Sequence, residues 1–157
     1  MCSSDLGLVF CRDDRFVLQQ FFVPDPPDEE AMLSLLNGSL AELEGLVTFN
    51  GRSFDWPLLC DRYVRLGSQP QLNPQPHLDL LTFSRRFWRN TLSSCSLGSI
   101  ENNRLGVVRS GIDIPGYLVP EIYDEYLRGG EIVPLEGVFY HNELDILSLV
   151  TLTARTE

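Results

Sequence analysis

Residues 46–49, Leu-Val-Thr-Phe, make a short apolar run that halts at Asn50-Gly51 and passes at once into a segment with helical spacing. Such a run, bounded by an Asn-Gly turn signal, reads as a buried strand ending in a tight turn. The hand-over is repeated downstream. His77-Leu78-Asp79-Leu80 has the look of another short strand and leads into an Arg- and aromatic-rich helix around residues 83–89. Strands that alternate with helices in this way call for one sheet layer covered by helices, which is an α/β domain.

The remaining segments suit that frame. Residues 8–11 and 16–23 are β-rich and are separated by Arg12-Asp13-Asp14-Arg15, which predicts a hairpin closed before Pro24, Pro26 and Pro27. Asp28 can cap a helix running to about Leu40, with Ala31, Leu35 and Leu36 recurring at helical spacing and Glu29 and Glu30 at its positive end. A helix from near Ser53 or Phe54 to Leu66 tolerates Pro57 in its first turn and closes at Gly67. Residues 68–76 form a polar loop, 96–105 a helix, and 113–116 a turn. Short helices over 120–127 and 142–153 follow, the last with Leu144, Leu147 and Leu152 on its buried side. A length of 157 residues with 43% hydrophobic content supports one domain with an ordinary core.

Some classes drop out. There is no run of about 18 apolar residues to span a membrane, and MCSSDLGLVF lacks the basic and apolar regions of a secretory signal. Cys2, Cys11, Cys60 and Cys95 show no CxxC pair and, with His77 and His141, no zinc-ligand spacing, which points to a reducing cytoplasm. The net charge of −10 hides an asymmetry: residues 1–50 carry −7, residues 51–110 carry +4, and residues 111–157 carry −7. Every basic residue is Arg. Arg grips phosphates and stacks on bases, so the central belt suits nucleic acid, although Arg paired with surface acids would give the same composition.

Two segments could carry chemistry. Asp55 lies on the first turn of the helix after the Asn50-Gly51 turn, where α/β sheets commonly place ligands; equally, an Asp there can simply favour the helix end. His141 and Asp145 stand four apart and share a helix face. A carboxylate beside an imidazole can hold a divalent cation and help deprotonate water, or can be a plain surface pair.

Together the segments are more specific. Asn50-x-x-x-Phe54-Asp55 followed by His141-x-x-x-Asp145 resembles the second and third motifs of the DEDD 3′–5′ exonucleases. LVTFNGRSFDWPLL, PHLDLL, SCSLGSIE, DIPG, P-x-x-Y-x-x-Y-L and HNELDILSL, in that order, resemble the YprB ribonuclease-H-like domain, from about Gly7 to about Thr153. The resemblance implies a ribonuclease-H-like mixed sheet flanked by helices, and a nuclease that hydrolyses phosphodiester bonds of DNA or RNA with two Mg²⁺ or Mn²⁺ ions. It implies Asp55 and Asp145 as metal ligands and His141 as the residue that orients or deprotonates the attacking water. Asn50, Gly51, Arg52, Ser53 and Phe54 would line the terminal nucleotide, and Arg85, Arg86, Arg89 and Arg109 are candidates for phosphates. Asp79 would play a supporting part.

One element of the pattern is missing. The family's first motif, Asp-x-Glu on the first and central strand, has no counterpart before Leu8, and Asp28-Glu29-Glu30 lies after the hairpin. MCSSDL matches the translation of the tail of a common sequencing adapter read from a GTG start. The expectation is therefore that residues 1–6 are not native, that Cys2 is not a true cysteine, and that residues 7–157 are a domain lacking its first strand. Such a fragment would bind metal weakly and cleave little. A nucleic-acid-binding pseudonuclease and a scaffold or interaction domain are the alternatives; oligomeric state is left open.

Overall fold

The computed structural model describes residues 5–72, 76–109 and 113–155; Cys2 and most of the segment 1–6 lie outside them. Strand β1 (Asp5–Arg12) pairs antiparallel with β2 (Arg15–Phe22), in register from Asp5 opposite Phe22 to Arg12 opposite Arg15. Asp13 and Asp14 make the turn with φ of 50° and 58°. Positive φ at both centres is what a two-residue hairpin turn of matching twist requires, and Asp tolerates it better than most residues.

After a 3-10 turn at Pro26–Asp28, helix α1 (Glu29–Leu40) buries Met32, Leu33, Leu36 and Leu40. This corrects the expected stripe, since Leu35 is 70% exposed and Ala31 also faces solvent. The helix is rotated so that Leu33 and Leu36 meet Leu59 and Tyr63 of α2 (Asp55–Arg65), and the Tyr63 hydroxyl donates to the Leu33 carbonyl at 2.8 Å. Helix α2 connects β3 (Leu46–Thr48) to β4 (His77–Asp79), which pair in parallel with Leu46 opposite His77. Gly67, at φ 68°, ends that crossover helix with the left-handed residue that helix C-termini favour.

Helix α3 (Leu80–Trp88) starts earlier than the Arg-rich stretch suggests, because Asp79 caps it by accepting from the Leu81 N–H at 3.1 Å. Helix α4 (Leu97–Ile100), capped by Ser96, runs into a π-helical turn at Glu101–Leu105 that stops at Gly106, φ 70°. A 3-10 turn at Gly116–Leu118 precedes α5 (Val119–Leu127). Helix α6 (Val133–Ala154) begins nine residues before the expected start at Asn142. Its register also differs: Leu147 is 40% exposed, and Ile146 turns inward against β1 instead. None of the described helices is long and apolar enough to cross a membrane.

The architecture is mixed α/β, with two small sheets flanked by helices, consistent with a ribonuclease-H-like fold. The apolar interior falls into two clusters. One joins Val23, α1, α2 and Leu72, with Leu6 and Leu46 against it; the other joins Leu80, Ile100 and Leu152, with Phe49 and Leu149 against it. Among the described residues, sheet β1-β2 does not pair with sheet β3-β4.

Candidate functional site

The turn after β3 is held by one carboxylate. Asp79 Oδ1 accepts from the Asn50 N–H at 2.9 Å and Oδ2 from the Arg52 N–H at 3.2 Å, while Oδ1 also caps α3. Asn50 sits at φ 65°, and a Cβ on Gly51 would lie 2.5 Å from Thr48 Cβ, so the turn admits no larger residue there. The Arg52 guanidinium donates to the His77 carbonyl, and His77 Nε2 lies 2.8 Å from Thr48 Oγ1. Burial, with the Arg52 charge behind it, pushes the His77 pKa down. This web of bonds delivers Asp55 to the first turn of α2. Solvent lost on its inner side, then the nearby Asp79 charge, raise the Asp55 pKa.

The second half of the site comes from α6. A Cβ on Gly7 would lie 1.7 Å from Ile146 Cδ1 and 2.4 Å from Asn142 Oδ1, so the helix sits directly on the β1 backbone. Gln20 of β2 reinforces the seat by donating to the Phe139 carbonyl at 2.8 Å and to Asn142 Oδ1 at 3.1 Å. His141 and Asp145 do share a face: Nε2 and Oδ2 are 3.5 Å apart. His141 Nδ1 is 2.8 Å from Asp113 Oδ1.

Arg109 organises this cluster. Its guanidinium donates to both oxygens of Glu101, at 2.8 and 2.7 Å, to Asp145 Oδ1, and to Asp113 at 3.4 Å; Nη1 is 3.1 Å from His141 Nδ1. These hydrogen bonds, led by Glu101, push its pKa further up, so it is a permanent cation. Glu101 and Asp113 were not among the sequence candidates. The only trace of Glu101 is that it is an acid inside the basic belt, and Asp113 is half of a turn motif.

A cleft of about 820 Å³ collects part of the predicted site: Asn50, Phe54, Asp55, Arg85 and Asp145 all line it. Asp145 also borders a second hollow of about 560 Å³ with Arg109, Asp113 and His141. Gly51, Arg52, Ser53 and Arg86 line neither. Arg86 stacks at the Phe87 ring, 6.0 Å from its centroid, and Arg89 is exposed. Among the described residues, no three His, Cys, Asp or Glu side chains come together as a cation site. Asp55 and Asp145 share a cleft, but Asp145 already accepts a hydrogen bond from Arg109, whose guanidinium also pairs with Glu101 and Asp113. Two closely spaced divalent ions need several carboxylates, so the donors present do not fit a two-ion centre.

Comparison with known proteins agrees with the architecture. A model described as the RNase_H superfamily matches residues 5–156. The uncharacterized protein YprB of Bacillus subtilis (strain 168) is 36% identical over 148 residues, covering 94% of this chain and 35% of that relative. The chain thus spans about a third of that relative's length.

Proposed function

The chain belongs to the RNase H superfamily, and from that premise we propose that it is the domain of a cytoplasmic, metal-dependent nuclease that hydrolyses phosphodiester bonds of DNA or RNA, working from 3′ ends. The observation that carries this reading is the convergence of Asp55, from the turn after β3, and Asp145, from α6, on one cleft whose wall includes Asn50 and Phe54. In this reading Asp55 and Asp145 are the carboxylates that would hold cations in a complete domain, and His141 handles the proton of the attacking water. Asn50 to Phe54 receive the terminal nucleotide, while Arg85 and Arg86 hold phosphates. Arg109 is held by three carboxylates and would meet a phosphate only by leaving them.

Dependence on Mg²⁺ or Mn²⁺ is a family expectation for a complete domain. We propose that this chain is an incomplete one, with residues 1–6 foreign to it and a first acidic strand missing. The two unpaired sheets support that view. The arrest of Asp145 by Arg109 favours a second reading, a pseudonuclease that binds nucleic acid without cutting it.

End-labelled single-stranded DNA and RNA, incubated in Mn²⁺ with the chain and with the chain extended by its upstream coding sequence, test the proposal. The chain alone should not cleave; the extended protein should shorten substrates from the 3′ end and lose that activity in Asp55→Ala and Asp145→Ala. Tight binding with no cleavage by either protein would establish the pseudonuclease, and neither binding nor cleavage would leave a scaffold or interaction domain. An in-frame stop directly upstream of Met1 would refute the incompleteness.

A further inference from the structure

Helix α3 carries a face that the chemistry of the cleft does not explain. From Leu80 to Ile100 the chain has no Asp or Glu and holds three Arg, in a protein whose net charge is −10. Arg85, Arg86 and Arg89 are all exposed, on the side of the helix and its cap away from the buried Leu80, Leu81 and Ser84. Among the described residues no carboxylate pairs with any of the three, whereas Arg12, Arg62 and Arg109 each hold at least one. Arg85 and Arg89 stand four apart, and like charges at that spacing repel and weaken a helix. A cationic face left uncompensated in this way is complementary to a polyanion.

Aromatic rings accompany these charges. Phe87 is 57% exposed, yet its ring is held in place on Phe83, with 4.5 Å between centroids and 34° between planes. Phe83 is in turn set edge-on against Trp88 at 6.1 Å. The Arg86 guanidinium lies 6.0 Å from the Phe87 centroid. A large exposed ring fixed beside unpaired guanidinium groups offers a base a surface to stack on and offers its phosphates charges to meet. Bases in a duplex are already stacked on one another, so an unpaired strand is the form that this face fits. An acidic protein would use the charges and leave the ring without a role. Arg85 connects the face to the larger cleft, which it lines together with Asn50, Phe54 and Asp55.

We propose that the outer face of α3 is a track for single-stranded nucleic acid leading away from the cleft, on which one base stacks on Phe87 while Arg85, Arg86 and Arg89 hold backbone phosphates. The proposal deepens the nuclease reading and rests on it for the entry of the strand into the cleft. Stacking on Phe87 itself requires no cleavage.

The probe is a fluorescein-labelled oligothymidylate of twelve nucleotides, titrated with the purified chain in EDTA and followed by anisotropy. A strand of the same length and charge whose sugars carry no bases is titrated beside it. We expect the oligothymidylate to bind more tightly than the abasic strand. Phe87→Ala should weaken the oligothymidylate about fivefold or more and leave the abasic strand nearly unchanged, and Phe87→Trp should keep the parent affinity. The slope of log affinity against log salt should shrink by about 0.7 in each of Arg85→Gln, Arg86→Gln and Arg89→Gln, the value for one phosphate contact on a single strand. No binding of oligothymidylate by the parent, unchanged affinity in Phe87→Ala, an equal loss on the abasic strand, or an unchanged salt slope in the Arg variants would overturn the proposal. So would displacement by polyglutamate as readily as by unlabelled oligothymidylate, which would assign the face to an acidic protein. Cleavage is read separately, on the chain extended by its upstream coding sequence. Binding through Phe87 without cleavage refutes the nuclease reading alone; cleavage with binding indifferent to Phe87→Ala refutes the track alone.

Discussion

Arg109 closes on Glu101 with two parallel hydrogen bonds, Nε to Oε2 at 2.8 Å and Nη2 to Oε1 at 2.7 Å. Glu101 is 1% exposed, so this carboxylate has left water entirely and depends on one guanidinium. Planar two-point contact is what Arg offers and Lys does not. The same guanidinium then reaches Asp145 and Asp113, tying the π-helical turn to α6 and to the segment before α5.

Removing the cation should be far worse than removing the pair. Arg109→Gln strands a buried carboxylate and is expected to destabilise the chain by about 3–5 kcal/mol. Adding Glu101→Gln to it should recover a substantial part of that loss. Urea unfolding of the two single variants and the double variant checks this; simple additivity would show that the contact is not energetically coupled.

Asp79 gathers the backbone N–H groups of Asn50, Arg52 and Leu81. Asp79→Ala frees all three donors and should cost about 2 kcal/mol, the upper range for loss of a helix-capping side chain. Asp79→Asn keeps one acceptor oxygen and should lose less. Denaturant midpoints give the ranking, and amide exchange should show the largest loss of protection at Asn50 and Arg52.

Gly7 is the point at which α6 touches β1. Gly7→Ala would drive a methyl into Ile146 Cδ1 and should destabilise by about 1–3 kcal/mol, the usual penalty of overpacking. Ile146→Ala opens space at the same spot but loses its own burial. The double variant should therefore be more stable than the two single effects predict. A strictly additive double variant would mean that the close approach has relaxed elsewhere.

Local order was readable where neighbouring residues determine it. Leu46 to Thr48, the Asn50-Gly51 turn and α2 follow from apolar runs, turn dipeptides and helix-end residues within a few positions of one another, as does the pairing of His141 with Asp145. What escaped depends on distant partners. The inward face of α1 is set by Tyr63, thirty residues away, whose hydroxyl bonds Leu33. Helix α6 starts at Val133 despite Pro134 and Gly137, because Pro is harmless in a first turn and Gly137 is buried where it packs. Arg109 looked like a phosphate ligand; its four partners lie between 4 and 36 positions away, and no periodicity links them.

Asp55 gives a pH test of the cleft. Loss of solvent on its inner side, then the Asp79 charge, hold its pKa above the ordinary carboxylate value of 3.8. A carboxyl raised in the folded chain binds its proton more tightly there than in the unfolded chain. Its stabilising contribution is therefore complete below about pH 4 and is lost as pH rises through the raised value. Asn matches Asp in shape and carries no ionisable proton. The Tm of Asp55→Asn minus that of the parent should accordingly become more positive as pH rises from 3.5 to 7. Asp5, shifted upward chiefly by burial, should contribute in the same direction, so Asp5→Asn, Asp55→Asn should show a larger increase than either change alone. A Tm difference that stays flat across that range would mean that Asp55 faces water on all sides, and the cleft would lose one of its two converging carboxylates.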